Sequence, residues 1–184
     1  TYPYVTSSNT ISAGACTGLG ISPQKIKHVF GVFKAYCTRV GSGPFPSELD
    51  NEFGEELRQK GGEFGATTGR PRRTGWLDLP ALNYAIMLNG ADKLIMTKAD
   101  VLCGLEQVEI CTAYKTPLGL TDKLPYDICN TDMQMHTEKF AGWDSSLHQT
   151  QNYIDVPQTF KEYVKYIEQS CGMELAAIST GPER

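Results

Sequence analysis

The residues best equipped for chemistry lie between Gly61 and Asp78. There Arg70, Arg72 and Arg73 are set among Gly61, Gly62, Gly65, Gly69 and Gly75, with hydroxyls at Thr67, Thr68 and Thr74. Glycine admits positive φ and lets a ligand approach the bare backbone. Pro71 fixes its own φ and biases Arg70 away from the α region. This composition predicts a loop, one that offers guanidinium forks, hydroxyls and amide N–H groups together. Such a set suits an anion with several oxygens, a carboxylate or a phosphate. A solvated basic surface loop is the plain alternative.

A second constellation is Thr97-Lys98-Ala99-Asp100, directly after the apolar run Leu94-Ile95-Met96. A carboxylate at a strand end can accept two parallel hydrogen bonds, from N1–H and the 2-amino group of guanine. Adenine has no such donor pair. Charged hydrogen bonds are worth about 1.5–3 kcal/mol each, enough for roughly tenfold selection of guanine or more. Lys98 can lay its methylene stem along a purine face and keep its ammonium wet. A strand-end salt bridge is the competing reading. Ser179-Thr180-Gly181 also follows a short apolar stretch and can pad a base or ribose, unless it is a routine turn. Thr6, Ser7 and Ser8, leading into Gly14, Gly18 and Gly20, could hold a phosphate or form a simple hydroxyl-rich turn. No Gly-x-x-x-x-Gly-Lys-Ser/Thr phosphate loop and no Gly-x-Gly-x-x-Gly after a strand occurs in the chain.

The elements that must position these groups follow from periodicity and caps. Ser22-Pro23 reads as a helix start, and Ile26, Val29, Phe30 and Phe33 predict a helix over about 24–39. The Gly41-to-Pro46 turn ends it, and a second, charged helix is expected over about 48–60. Asp78 caps a third helix that closes at Asn89-Gly90, with Leu82, Ile86 and Leu88 available for burial. Leu94 to Met96 is a buried strand that delivers Lys98 and Asp100 to its carboxyl end, where ligands bind in open α/β sheets. A strand over 108–114, a loop over 115–125 and an irregular stretch over 126–143 follow. Val156-Pro157 then begins a helix over 158–171 with Phe160, Tyr163, Val164 and Ile167 as its buried stripe, and 175–178 forms a last strand. Helices alternating with short apolar strands predict an α/β fold.

Length and composition set limits. One chain of 184 residues is expected to be one domain. A net charge of -4 argues against a nucleic-acid coat, and no apolar run is long enough to span a membrane. Six cysteines without a Cys-x-x-Cys pair are expected to be reduced, largely buried thiols of a cytoplasmic protein. His28, His136 and His148 lack metal-ligand spacing. The chain opens on Thr1 rather than methionine and ends at Gly181-Pro182-Glu183-Arg184, which reads as a piece of a longer chain.

Taken in order, Thr1-Tyr2-Pro3-Tyr4-Val5-Thr6-Ser7-Ser8, Gly41-Ser42-Gly43-Pro44-Phe45-Pro46, Glu63-Phe64-Gly65-Ala66-Thr67-Thr68-Gly69-Arg70, Gly75-Trp76-Leu77-Asp78, Thr97-Lys98-Ala99-Asp100 and Ser179-Thr180-Gly181-Pro182 carry a resemblance. Together they resemble the carboxyl-terminal half of the adenylosuccinate synthetase family, from the first residue to the last. The resemblance implies an α/β fold, the carboxyl-terminal portion of a P-loop-NTPase-like mixed or parallel sheet with flanking helices. It implies a GTP-dependent ligase of purine biosynthesis that joins IMP and L-aspartate through 6-phosphoryl-IMP, assisted by Mg2+ and typically homodimeric. Carried across, Thr6 would contact IMP; Thr67, Thr68, Gly69 and Arg70 would close over aspartate, with Arg70 also touching IMP. Arg72, Lys98, Asp100, Ser179, Thr180 and Gly181 would contact GTP, and Val40 would reach IMP through its backbone. Ala99 stands where the family usually has leucine, and Cys103 where aspartate is common. The family's phosphate loop, magnesium ligand and acid–base aspartate and histidine are expected in an amino-terminal half, so this chain alone is expected to be inactive. A stand-alone guanine-nucleotide-binding module and a nucleic-acid binder using Arg70, Arg72 and Arg73 are the competing functions.

Overall fold

Ala35 is where the chain passes from one sheet to another, and the fold is built outward from it. The structure, a computed structural model, describes residues 9–150 and 152–181. A short helix α1 (Gly14–Leu19) and a 3₁₀ turn at Pro23–Lys25 precede strands β1 (Phe30–Lys34) and β2 (Tyr36–Arg39). The helix expected over 24–39 is therefore a turn and two strands. Val29, Phe30, Val32, Phe33 and Tyr36 are β-branched or aromatic and fit a pleated surface as well as a helix face. Parallel pairing of β1 with β4 (Lys93–Thr97) decides the matter, with Phe30 opposite Lys93 and Lys34 opposite Thr97.

Helix α2 (Glu52–Gly61) starts later than the charged stretch suggested, because Asn51 is the cap and accepts from the Gly54 N–H at 3.0 Å. The residues before it, Glu48 and Leu49, pair instead with β3 (Arg73–Asp78). Helix α3 (Leu79–Asn89) is capped by Asp78, which accepts from the Ala81 N–H at 3.0 Å, and Gly90 closes it with φ 57°. Both ends are as expected. Its apolar side is not fully covered: Leu82 and Ile86 are half-buried, whereas Leu88 is exposed.

Strand β5 (Gln107–Thr116) is longer than expected. Strand β6 (Gly119–Thr121) lies in the expected loop, and β7 (Gln134–Ala141) in the stretch read as irregular. The polar make-up of β7 hides it, since its strand state comes from antiparallel pairing with β5 along most of its length. Helix α4 (Gln158–Cys171) and strand β8 (Leu175–Ile178) match expectation, with Phe160, Tyr163, Val164 and Ile167 all buried.

Two sheets result, with helices against them. One is parallel, in the order β1-β4-β8. The other is mixed, running β2-β3-β5-β6 with β7 also on β5. Trp143, Phe160 and Tyr163 anchor the core, with ring centroids 4.9 and 5.1 Å from Trp143. Burying each such aromatic contributes about 1.5–3 kcal/mol. The Tyr163 hydroxyl donates to the Ala35 carbonyl at 2.9 Å, pinning the passage between the sheets. All six cysteines are free, as expected; Cys103 and Cys111 are buried, Cys16, Cys37 and Cys171 are half-buried, and Cys129 is exposed, so burial is less extensive than the largely buried set expected. Burial pushes the Cys111 thiol up to about 12 and that of Cys37 to about 11. No helix among the described residues is long and apolar enough to cross a membrane.

Candidate functional site

Three parallel strands end on the same side, and their carboxyl ends meet a cleft of about 340 Å³. Lys34 from β1, Thr97 at the end of β4, Lys98 and Asp100 after it, and Ser179 and Gly181 after β8 line it. Four of the residues singled out in the sequence are thus brought together from positions about eighty apart in the chain. Thr180 lies between two lining residues without lining the cleft itself.

Local geometry explains how Lys98 and Asp100 reach it. Lys98 is the one non-glycine residue with positive φ among the described residues, at 63°. A left-handed backbone costs a side-chain-bearing residue about 1–2 kcal/mol. Such strain persists where surrounding structure over-determines it, often at functional sites. Here it turns the chain off β4 into a 3₁₀ turn, Ala99–Leu102. Ala99 is fully buried, and its carbonyl accepts from Trp143 Nε1 at 3.4 Å, so alanine at this position leaves the turn packed. Cys103 closes the turn through its N–H on the Asp100 carbonyl at 3.1 Å.

Asp100 is half-buried in the cleft and forms no ion pair with any described residue. The strand-end salt bridge is not seen among the described residues. The Lys98 ammonium donates to the Gly61 carbonyl at 3.0 Å, tying the end of α2 to the cleft.

The arginine loop is a hairpin. Arg72 N–H donates to Glu63 O at 3.0 Å and Gly65 N–H to Arg70 O at 2.9 Å, with Phe64 and Pro71 bridged between them. Gly69, at φ 62°, makes the turn. Thr67, Thr68, Gly69 and Arg70 are all exposed at its tip, outside the cleft. The three arginines have separate fates. Arg73 is structural: it pairs with Glu48 and donates to the carbonyls of Gly41 and Gly43 at 3.2 and 2.8 Å. Arg72 donates to Glu63 Oε2 at 2.7 Å. Arg70 points no guanidinium nitrogen into any ion pair among the described residues.

Sequence reasoning assigned nothing to Glu63, Lys34 or Tyr36, which join the loop to the cleft. The Glu63 side chain is 1% exposed and accepts from Lys34 Nζ at 2.7 and 2.8 Å, from the Tyr36 hydroxyl at 2.6 Å and from Arg72. Burial alone would raise the Glu63 carboxyl; the hydrogen bonds from Lys34, Tyr36 and Arg72 outweigh it and hold the group below its ordinary value. The only signal in the sequence was the place of Glu63 at the loop's foot. Lys34 was hidden inside the helix expected over 24–39. Val40, at the turn after β2, is exposed, and Thr6 lies outside the described residues. A larger apolar hollow of about 600 Å³ at the β5–β6 hairpin contains none of the expected site residues. No three His, Cys, Asp or Glu side chains converge on a possible cation among the described residues.

A model of the family described as adenylosuccinate synthetase matches residues 1–184. The chain belongs to the adenylosuccinate synthetase family. Adenylosuccinate synthetase of Cytophaga hutchinsonii is 54% identical over 184 residues, covering 100% of this chain and 43% of that protein. The Salinibacter ruber synthetase is 48% identical over 184 residues, covering 100% of this chain and 42% of that protein. The solved structure of fully ligated adenylosuccinate synthetase from Plasmodium falciparum matches with a TM-score of 0.93 at 41% identity, over 99% of this chain and 44% of that one. The mixed α/β architecture of parallel and mixed sheets is thus that of the synthetase, and the chain spans less than half the length of these relatives.

Proposed function

We propose that this chain supplies the guanine, IMP and aspartate contacts of a GTP-dependent ligase that makes adenylosuccinate. In that reaction the γ-phosphoryl group of GTP passes to O6 of IMP. The α-amino group of aspartate then attacks C6, forming the C–N bond, and the C6–O bond breaks as phosphate leaves.

The observation that carries the reading is Asp100: a carboxylate with no ion-pair partner among the described residues, at the mouth of a cleft formed by three strand ends. It is available to accept from N1–H and the 2-amino group of guanine, while Ser179 and Gly181 line the same cleft. Arg72, and Thr180 through its neighbours, complete the nucleotide contacts in this reading. Arg70, with Thr67, Thr68 and Gly69, takes the two carboxylates of aspartate. An exposed hairpin tip is free to close on a small substrate, and a bidentate guanidinium leaves the amine unbound for attack. Thr6 and Arg70 reach IMP, and Val40 does so through its backbone. Magnesium belongs to the reading as a cofactor, but no described cluster of this chain fits a metal, so no step here passes through it. The parent protein is taken to be a cytoplasmic homodimer that uses neither nucleic acid nor membrane.

Asp100→Asn in the protein at the full length of its relatives tests the reading. An amide keeps one acceptor and opposes a donor to a donor, so the preference for GTP over ATP should fall by about tenfold or more, given about 1.5–3 kcal/mol per charged hydrogen bond. Undiminished preference, read from kcat/KM with each nucleotide, would remove Asp100 as the selector.

A further inference from the structure

We infer that Glu63 is a positioning residue that sets the aim of Arg72 at the nucleotide and fixes Lys34 on the cleft wall beside Asp100. The inference rests on the reading of Arg72 as a GTP contact.

Glu63 stands at the foot of the arginine hairpin, where its own carbonyl accepts the Arg72 N–H at 3.0 Å. Its side chain is 1% exposed, yet it carries two cations: Lys34 reaches both carboxylate oxygens, and Arg72 Nη1 meets Oε2 at 2.7 Å. A carboxylate buried this far stays ionised only with such partners. The Tyr36 hydroxyl, itself buried, completes Oε1 at 2.6 Å and fixes the rotamer of Glu63 from the start of β2.

The arrangement clamps one guanidinium nitrogen of Arg72, and 31% of its side chain remains exposed. A guanidinium has five N–H donors in a rigid fork, so holding one edge orients the others. Arg58 Nε, donating to the Arg72 carbonyl at 2.5 Å, holds the backbone at the same place. Lys34, the other cation on Glu63, lines the cleft that contains Asp100. One buried anion therefore couples the base of the arginine hairpin to the wall of the nucleotide cleft. With the charge removed, Lys34 and Arg72 would face each other uncompensated, and Arg72 would lose the bond that directs its fork.

The test is a double-mutant cycle in the protein at the full length of its relatives, with KM for GTP and for aspartate measured separately. Glu63→Gln in the parent should raise KM for GTP by about fivefold or more, but by a clearly smaller factor in the Arg72→Ala background, where of the two ion pairs only that with Lys34 remains to be lost, because residues acting through one contact are not additive. KM for aspartate should stay within about twofold in the same variants, since the backbone bonds of the hairpin survive. A merely structural glutamate would raise both KM values alike and add to Arg72→Ala, and that outcome overturns the inference. Tyr36→Phe removes one hydrogen bond from the same carboxylate without changing charge. It should show a smaller loss with the same dependence on Arg72, and it serves where Glu63→Gln accumulates poorly. If Arg72→Ala leaves KM for GTP unchanged, the GTP role of Arg72 and this inference fall together. If Arg72→Ala weakens GTP while both Glu63→Gln and Tyr36→Phe leave it intact, the inference alone falls.

Discussion

Arg70, Arg72 and Arg73 are close in sequence and differ in task because their neighbours differ. Arg73 is neutralised by Glu48 and two loop carbonyls, Arg72 is held by one edge on Glu63, and Arg70 stands exposed on the hairpin tip without an ion pair among the described residues. The residue left unpaired is the one able to meet a new anion. Arg70→Leu in the full-length protein should raise KM for aspartate by about tenfold or more, the worth of one charge-assisted hydrogen bond of about 1.5–3 kcal/mol. Steady-state phosphate release at varied aspartate reads this directly, and an unaltered KM would mean the tip does not grip that substrate. Glu63 adds a pH dependence to the fold. Its carboxyl is held below the ordinary value, so its contribution is complete above the unfolded value and is lost as pH falls through the folded one.

At the scale of elements, caps and stops were readable because they are local. Asp78 at the start of α3, Gly90 at its end and Gly172 after α4 act through bonds to residues a few positions away. Pairing is different. β7 has few apolar residues, and β1 carries a pattern compatible with a helix; partners distant in sequence decided both. Helix α2 offers a test in which tertiary contact reverses a local rule. Gly→Ala inside a helix ordinarily stabilises by about 1 kcal/mol. A Cβ on Gly54, however, would sit 1.8 Å from the Leu49 carbonyl oxygen, and the Gly54 carbonyl already accepts from Thr74 Oγ1 at 2.6 Å. Gly54→Ala should therefore destabilise by about 1–3 kcal/mol, as overpacking does. A urea midpoint that rises instead would contradict the packing of α2 on β3.

Across the whole molecule, the cleft exists because three strands far apart in sequence run parallel and stop together. β1 and β8 are the outer strands of that sheet; Phe30 and Val32 of β1 leave 52% and 66% of their surface exposed, and Met87 of α3 leaves 64%. Apolar exposure of this kind marks surface that a larger assembly would cover. Since the sequence holds no phosphate-loop motif, the 184-residue chain on its own should release no phosphate from GTP above background with IMP and aspartate present. Turnover by the isolated chain would show that the contacts described here suffice.

Reading residues in order was enough for the α/β class, the identity of Lys98 and Asp100 as a strand-end pair, the glycine–arginine loop and the buried stripe of α4. Each depends on composition or on neighbours within a few positions. It did not reach the partition of the three arginines, the buried Glu63 with its two cations, or the strand state of β1 and β7. Those follow from which distant groups meet: Glu63 with Lys34, Glu48 with Arg73, and Tyr163 with Ala35 are joined across 29, 25 and 128 positions. Burial and long-range pairing set a side chain's charge partner, and neither is written in the residues beside it.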